Sequence, residues 1–69
     1  MDKIVKVIEV IASSDKGFTE ATQVALDKAS KTLKNIQSIY IKEMNANVEN
    51  NKIVSYAVNA KISFVLEDE

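Results

Sequence analysis

Apolar residues in the first stretch of the chain fall on both sides of an extended backbone. In residues 3–13, Ile4, Ile8, Val10 and Ala12 occupy the even positions, and Val5, Val7 and Ile11 the odd ones. This density of Val and Ile predicts a strand. With both faces mainly apolar, the strand is expected to be covered twice. One helix in a chain of 69 residues can cover one side, so the second cover is expected from another chain.

The period changes after Ser13-Ser14-Asp15-Lys16-Gly17, the one loop-like cluster before a helical stretch. From Phe18 to about Asn35, Ala21, Thr32, Ala25, Phe18, Ala29, Thr22, Leu33 and Leu26 fall on one arc of about 140°. Gln23, Lys34, Asp27, Glu20 and Lys31 take the opposite side. Three alanines on the apolar arc let such a helix lie close to a sheet. The polar side mixes both signs instead of concentrating Lys, as a core-facing helix does and an interfacial membrane helix does not.

Residues 36–49 and 52–66 read as two strands joined by Asn50-Asn51. Adjacent Asn residues tolerate the positive φ angles that a two-residue type I′ turn requires. Pairing Glu49 with Lys52 sets an expected register in which opposing residue numbers sum to 101. One face then holds Ile39 opposite Ile62, Ile41 opposite Ala60, Glu43 opposite Val58 and Asn45 opposite Tyr56. The other holds Ser38 opposite Ser63, Tyr40 opposite Lys61, Lys42 opposite Asn59 and Met44 opposite Ala57. The first face continues through Val54, Phe64 and Leu66 and is expected to receive the helix. A right-handed crossover makes strands 1 and 2 parallel, so strand 3 is placed between them. The fold class is α+β: β-α-β-β, with a three-stranded antiparallel sheet in the order 1-3-2 wrapped around one helix. Strands of about 14 residues run roughly 45 Å, against about 27 Å for the helix. The sheet is expected to overhang the helix, leaving ends for neighbouring subunits.

Composition removes most other functions. The chain has nine Lys against ten Asp plus Glu, and no Arg, His, Cys, Pro or Trp. Without Cys there is no disulfide, thiolate site or Cys nucleophile, and without His no imidazole base. A domain this small ordinarily needs a staple, and oligomerisation is the one left. A net charge of −1 provides no basic footprint for nucleic acid. No apolar run approaches the ~20 residues of a membrane span. The N-terminus lacks a signal-peptide pattern, so the expected compartment is the cytoplasm. No carboxylate pair, Ser-based triad or glycine-rich phosphate loop is visible, and no enzyme activity is expected.

The β-α-β-β order with Lys6-Val7-Ile8-Glu9-Val10-Ile11 and Ala29-Ser30-Lys31-Thr32-Leu33-Lys34-Asn35-Ile36 resembles the dodecin family. Val58-Asn59-Ala60-Lys61-Ile62-Ser63-Phe64 is similar to the family's last strand, and Ala12-Ser13-Ser14 stands where the family usually has Gly-Thr-Ser. The resemblance covers essentially the whole chain, so residues 1–69 read as a single dodecin-like domain. It implies a hollow homododecamer, a cytoplasmic flavoprotein that binds and buffers or stores a small ligand without catalysing a reaction. The ligand implied is a flavin: FMN, riboflavin or lumichrome.

The family's ligand positions are degenerate here. The stacking Trp early in strand 2 aligns, through Leu33-Lys34-Asn35-Ile36, with Ser38. The Gln that follows a Tyr in strand 3 is replaced by Ala57 after Tyr56. Basic residues near the ligand phosphate in similar bacterial proteins align with Asn45 and Val65. Loss of a Trp stack removes on the order of 1–3 kcal/mol, roughly tenfold to a few hundredfold in affinity. The resemblance therefore implies flavin binding that is weak or absent. By the register, Ser38 and Ala57 lie roughly 20 Å apart along the strands, so a site using both must lie between subunits. Tyr40 is the candidate substitute stacking residue; packing over Lys61 at an interface is its alternative. Tyr56 is expected on the core side. Asn45, Asn47, Glu49, Asn50 and Asn51 form an oxygen-rich patch, but one carboxylate is poor provision for a calcium-like cation. The alternatives to a flavin shell are a dodecin-shaped assembly for such a cation or a non-flavin metabolite, and a purely structural shell. The terminal Glu67-Asp68-Glu69 reads as a solvated tail.

Overall fold

The strand and helix signals translate into four elements, β1 (Ile4–Ser14), α1 (Phe18–Ala29), β2 (Ile36–Glu49) and β3 (Lys52–Leu66). They come from a computed structural model that describes residues 2–66; the expected Glu67-Asp68-Glu69 tail lies outside the described residues. The sheet order is β1-β3-β2, with both outer strands antiparallel to β3. Asn50 and Asn51 turn the hairpin at φ 52° and 64°, the positive values that the two-residue turn demands, and Glu49 pairs with Lys52. The molecule measures 54 × 20 × 13 Å, so the strands do run far past the helix. Among the described residues no helix is long and apolar enough to cross a membrane.

The core is thin. Ala21, Ala25 and Ala29 of α1, which packs on β1 and β3, are buried with Val58, Ala60, Ile62 and Phe64 of β3, and among the described residues no polar residue joins them. An alanine stripe is what permits this close approach: each Cβ ends where a longer side chain would meet the sheet. Phe18 at the start of α1 meets Tyr56 edge to face, with ring centroids 5.0 Å apart, which places Tyr56 on the core side as expected.

Three details depart from the sequence reading. First, α1 stops at Ala29, not near Asn35. The chain tightens as Lys31 N donates to Lys28 O and Thr32 N to Ala29 O, each bond spanning three residues, and the Ser30 hydroxyl caps Asp27 O. Ser30 and Thr32 provide little helix propensity against this local bonding. Asn35 then reverses the chain at φ 63° and accepts a bond from Val65 N through its carbonyl. Thr32 and Leu33 continue the helical period without being helix.

Second, the hairpin is not a uniform ladder. Ser38, Ile39, Tyr40 and Ile41 pair in the expected register, but Glu43 then faces Asn59, Met44 faces Val58, Asn45 faces Ala57 and Ala46 faces Tyr56. Lys42 is the extra residue. A second irregularity between Asn47 and Val48 restores the register before the turn. A one-residue shift exchanges the two faces, so Glu43 and Asn45 leave the helix side and Met44 joins it. Third, β1 runs one residue further than expected, taking in Ser14, whose hydroxyl accepts a bond from Lys16 N.

Candidate functional site

The face of the sheet away from α1 carries the odd residues of β1 and β3, and the cross-strand pairs arrange them in rows. From one end they run Val5–Val65, then Val7–Ser63–Ser38, then Glu9–Lys61–Tyr40, then Ile11–Asn59–Glu43, then Ser13–Ala57–Asn45, and last Ser55–Asn47. Every expected ligand position lies on this one face. Asn45 reaches it only because Lys42 bulges.

The rows differ in chemistry. The Ser38 and Ser63 hydroxyls share a hydrogen bond of 2.6 Å. In the middle, Lys42 Nζ reaches back over β3 to Glu9 Oε2 at 3.4 Å. Glu9 ionises below its ordinary range because of a side-chain hydrogen bond from Asn59 first, and then the positive charge of Lys42. The Oδ1 atom of Asn59 is buried and has no partner among the described residues. Near the turn, Asn47 donates through its amide to Ser55 Oγ at 2.8 Å. Glu9, Lys42 and Asn59 were not singled out in the sequence. The alternation of β1 does place Glu9 between Val7 and Ile11, and the apolar positions of β2 change from odd (Ile39, Ile41) to even (Met44, Ala46) across Lys42, a signal of the bulge that the uniform register passed over.

Apolar groups frame these polar rows. Val5, Val7 and Ile11 are 47%, 52% and 76% exposed, and Tyr40 is 65% exposed. Tyr40 stands opposite Lys61, as expected. On the other side, a groove of about 660 Å³ runs between α1 and β1, floored by Ile8, Val10 and Ala12 and walled by Val24, Ala29 and Leu33.

The structure groups the candidate residues into two sets. Ser38 and Val65 lie toward one end; Asn45 and Ala57 face each other toward the other. Ala57 and Ser63 are six residues apart on β3, roughly 20 Å along the strand. One subunit does not unite the two sets. The oxygen-rich patch divides similarly: Asn47 is tied to Ser55, and no group of three or more acidic, His or Cys side chains able to hold a metal occurs among the described residues.

Comparison with known proteins points one way. The sequence model of the Dodecin family matches residues 4–67. The dodecin of Thermus thermophilus is 31% identical over 68 residues, covering 99% of each chain. The crystal structure of the tt0972 protein from Thermus thermophilus superposes with a TM-score of 0.92 at 29% identity, covering 99% of this chain and 100% of that one. A calcium dodecin from Mycobacterium tuberculosis shares the fold, with a TM-score of 0.80 at 21% identity, over 96% of this chain and 94% of its own.

Proposed function

The chain belongs to the dodecin family, and on that footing we propose that it is a closed homo-oligomer of twelve subunits that holds a flat-ring small molecule without transforming it. The observation that carries this reading is the bare odd face of β1, where Val5, Val7 and Ile11 stay exposed opposite a helix that covers only the even face. Burying them contributes on the order of 1.5–3 kcal/mol per side chain. A core of seven residues among those described, four of them alanine, leaves a single subunit little stability of its own. The groove between α1 and β1 supplies a second surface for a neighbouring subunit.

A flavin is the ligand that the family suggests, yet the residues present do not fit the family's usual grip. Ser38 spends its hydroxyl on Ser63, and the Ala57 side chain has no hydrogen-bonding atom. Of the described aromatic residues, Phe18 and Tyr56 pack on each other and Phe64 is buried, so Tyr40 is the ring left on the helix-free face. Ring stacking in this protein is therefore assigned to Tyr40, with modest affinity. Light scattering combined with titration of riboflavin fluorescence tests both halves. A large particle that quenches riboflavin supports the reading. A 7.6 kDa monomer overturns the assembly. A large particle that leaves riboflavin unquenched but gains thermal stability from calcium overturns the ring ligand in favour of a cation.

A further inference from the structure

The end of the hairpin stands clear of the rest of the subunit. β1 stops at Ser14, opposite Tyr56, and α1 begins at Phe18, which packs on that same tyrosine. Beyond Tyr56, residues 47–55 pair only with one another. A two-stranded ribbon is marginal in water unless something covers it. This one carries three β-branched side chains: Val48 is 60% exposed, its cross-strand partner Ile53 55%, and Val54 beside them is exposed as well. Single apolar side chains on a surface are ordinary, but a cluster at an unsupported end marks a contact.

The groove between α1 and β1 is the matching surface. Its floor is Ile8, Val10 and Ala12, and Val24 on its wall is exposed. The subunit's own ribbon cannot fill it: Val10 pairs with Ala60, and Ile53 lies roughly 23 Å further along β3. Charge favours the fit. Lys28 and Lys31 line the groove, and neither forms an ion pair among the described residues. Asp27 beside them accepts a bond from Gln23. On the ribbon Glu49 also lacks an ion pair among the described residues, even with Lys52 across the ladder.

We propose that Val48, Ile53 and Val54 seat in the α1–β1 groove of a second copy, with Glu49 meeting Lys28 and Lys31 at its rim. This rests on the closed-assembly reading above and names the two surfaces that meet. Groove and ribbon are different patches, so the contact is head to tail: each subunit gives its ribbon to one neighbour and receives the ribbon of another. Such contacts close into a ring or run on as a filament, and a closed particle requires the ring. The odd face of β1 is left free to join ring to ring.

The chain has no cysteine, so introduced thiols report the contact without background. Val24→Cys, Ile53→Cys and the double variant are treated with a short bis-maleimide once light scattering has shown each to be assembled. Each single variant is expected to run as a monomer on a denaturing gel, and the double variant as a ladder that ends at the size of the ring. Leu33→Cys in place of Val24→Cys repeats the test further along the groove. A dimer band from a single variant overturns the head-to-tail contact, because like patches then meet. So does the absence of a ladder from both double variants in an intact particle, and linkage of Val24→Cys to Val7→Cys in its place names the odd face of β1 as the occupant. A ladder without end overturns the ring. Glu49→Lys is expected to raise the protein concentration needed for assembly about tenfold, and Lys28→Glu with Lys31→Glu in the same chain to restore it; assembly indifferent to Glu49→Lys overturns the charge pairing. These failures leave the closed assembly standing, whereas a 7.6 kDa monomer from the unaltered protein overturns both.

Discussion

The hydroxyls of Ser38 and Ser63 meet at 2.6 Å across β2 and β3. They do so at the row where the dodecin resemblance places a stacking aromatic ring. Two small side chains close on each other there, and the neighbouring Val7 is left 52% exposed.

Ser38→Trp is therefore expected to raise riboflavin affinity at least tenfold, about 1.4 kcal/mol. The stack gains on the order of 1–3 kcal/mol, and the lost serine–serine bond costs about 1 kcal/mol. Fluorescence quenching against the unaltered protein measures the difference. Equal affinity for both proteins would mean that Tyr40 or another group already supplies the stack.

Val7→Asp is expected to dissociate the assembly. A carboxylate in an apolar interface is desolvated with no partner beside it. Light scattering at micromolar concentration should show the particle shrinking, and circular dichroism should follow it downward where the freed subunit is unstable. A particle of unchanged mass would remove Val7 from the interface.

Ala21 has no exposed surface and lies in the layer between α1 and the sheet. Ala21→Leu pushes three extra carbons against a sheet that lies too near to receive them. Overpacking of this kind costs about 1–3 kcal/mol, and a thermal melt should show several degrees of destabilisation. An unchanged melting point would show that α1 can lift from the sheet freely.

Acid should weaken the centre of the helix-free face. The Glu9 carboxyl ionises below its usual value because of Asn59 and then Lys42. Its folded pKa is lower than its unfolded one, so its contribution is present above the unfolded value of about 4.5 and is lost as pH falls through the folded value. Glu9→Gln is expected to flatten the melting temperature between pH 5 and pH 3 relative to the unaltered protein. Parallel curves for the two would show that this carboxylate is not linked to stability.

The elements themselves were legible in the chain. Valine and isoleucine on both faces of β1, the alanine spacing at Ala21, Ala25 and Ala29, and Asn50-Asn51 between two long strands are local signals. Each acts within a few residues, so the turn, the strand order and the core side of β3 follow from them. The end of α1 was not legible: Thr32 and Leu33 keep the helical period. Besides the local bonds at Ser30, Lys31 and Thr32, the pairing of Ile36 with Phe64 and the bond from Val65 to Asn35, contacts made almost thirty residues away, hold the chain out of the helix.

The candidate site shows the same division more sharply. Ser38, Tyr40, Ala57 and Val65 share a face by simple alternation from the turn. Asn45 does not, and nothing about Lys42 as a residue distinguishes it from its neighbours. Two distant anchors govern the ladder between them: the Asn50-Asn51 turn at one end, and Ile39 and Ile41 against Ile62 and Ala60 at the other. Both anchors hold one register, and between them the two irregularities turn Met44 and Ala46 to the helix side and Asn45 to the other, so burial of the apolar positions decides that Lys42 is expelled. The sequence by itself determined which residues can line a site on this sheet. Tertiary packing, by expelling Lys42 from the ladder, decided that Asn45 stands across from Ala57 and not behind it.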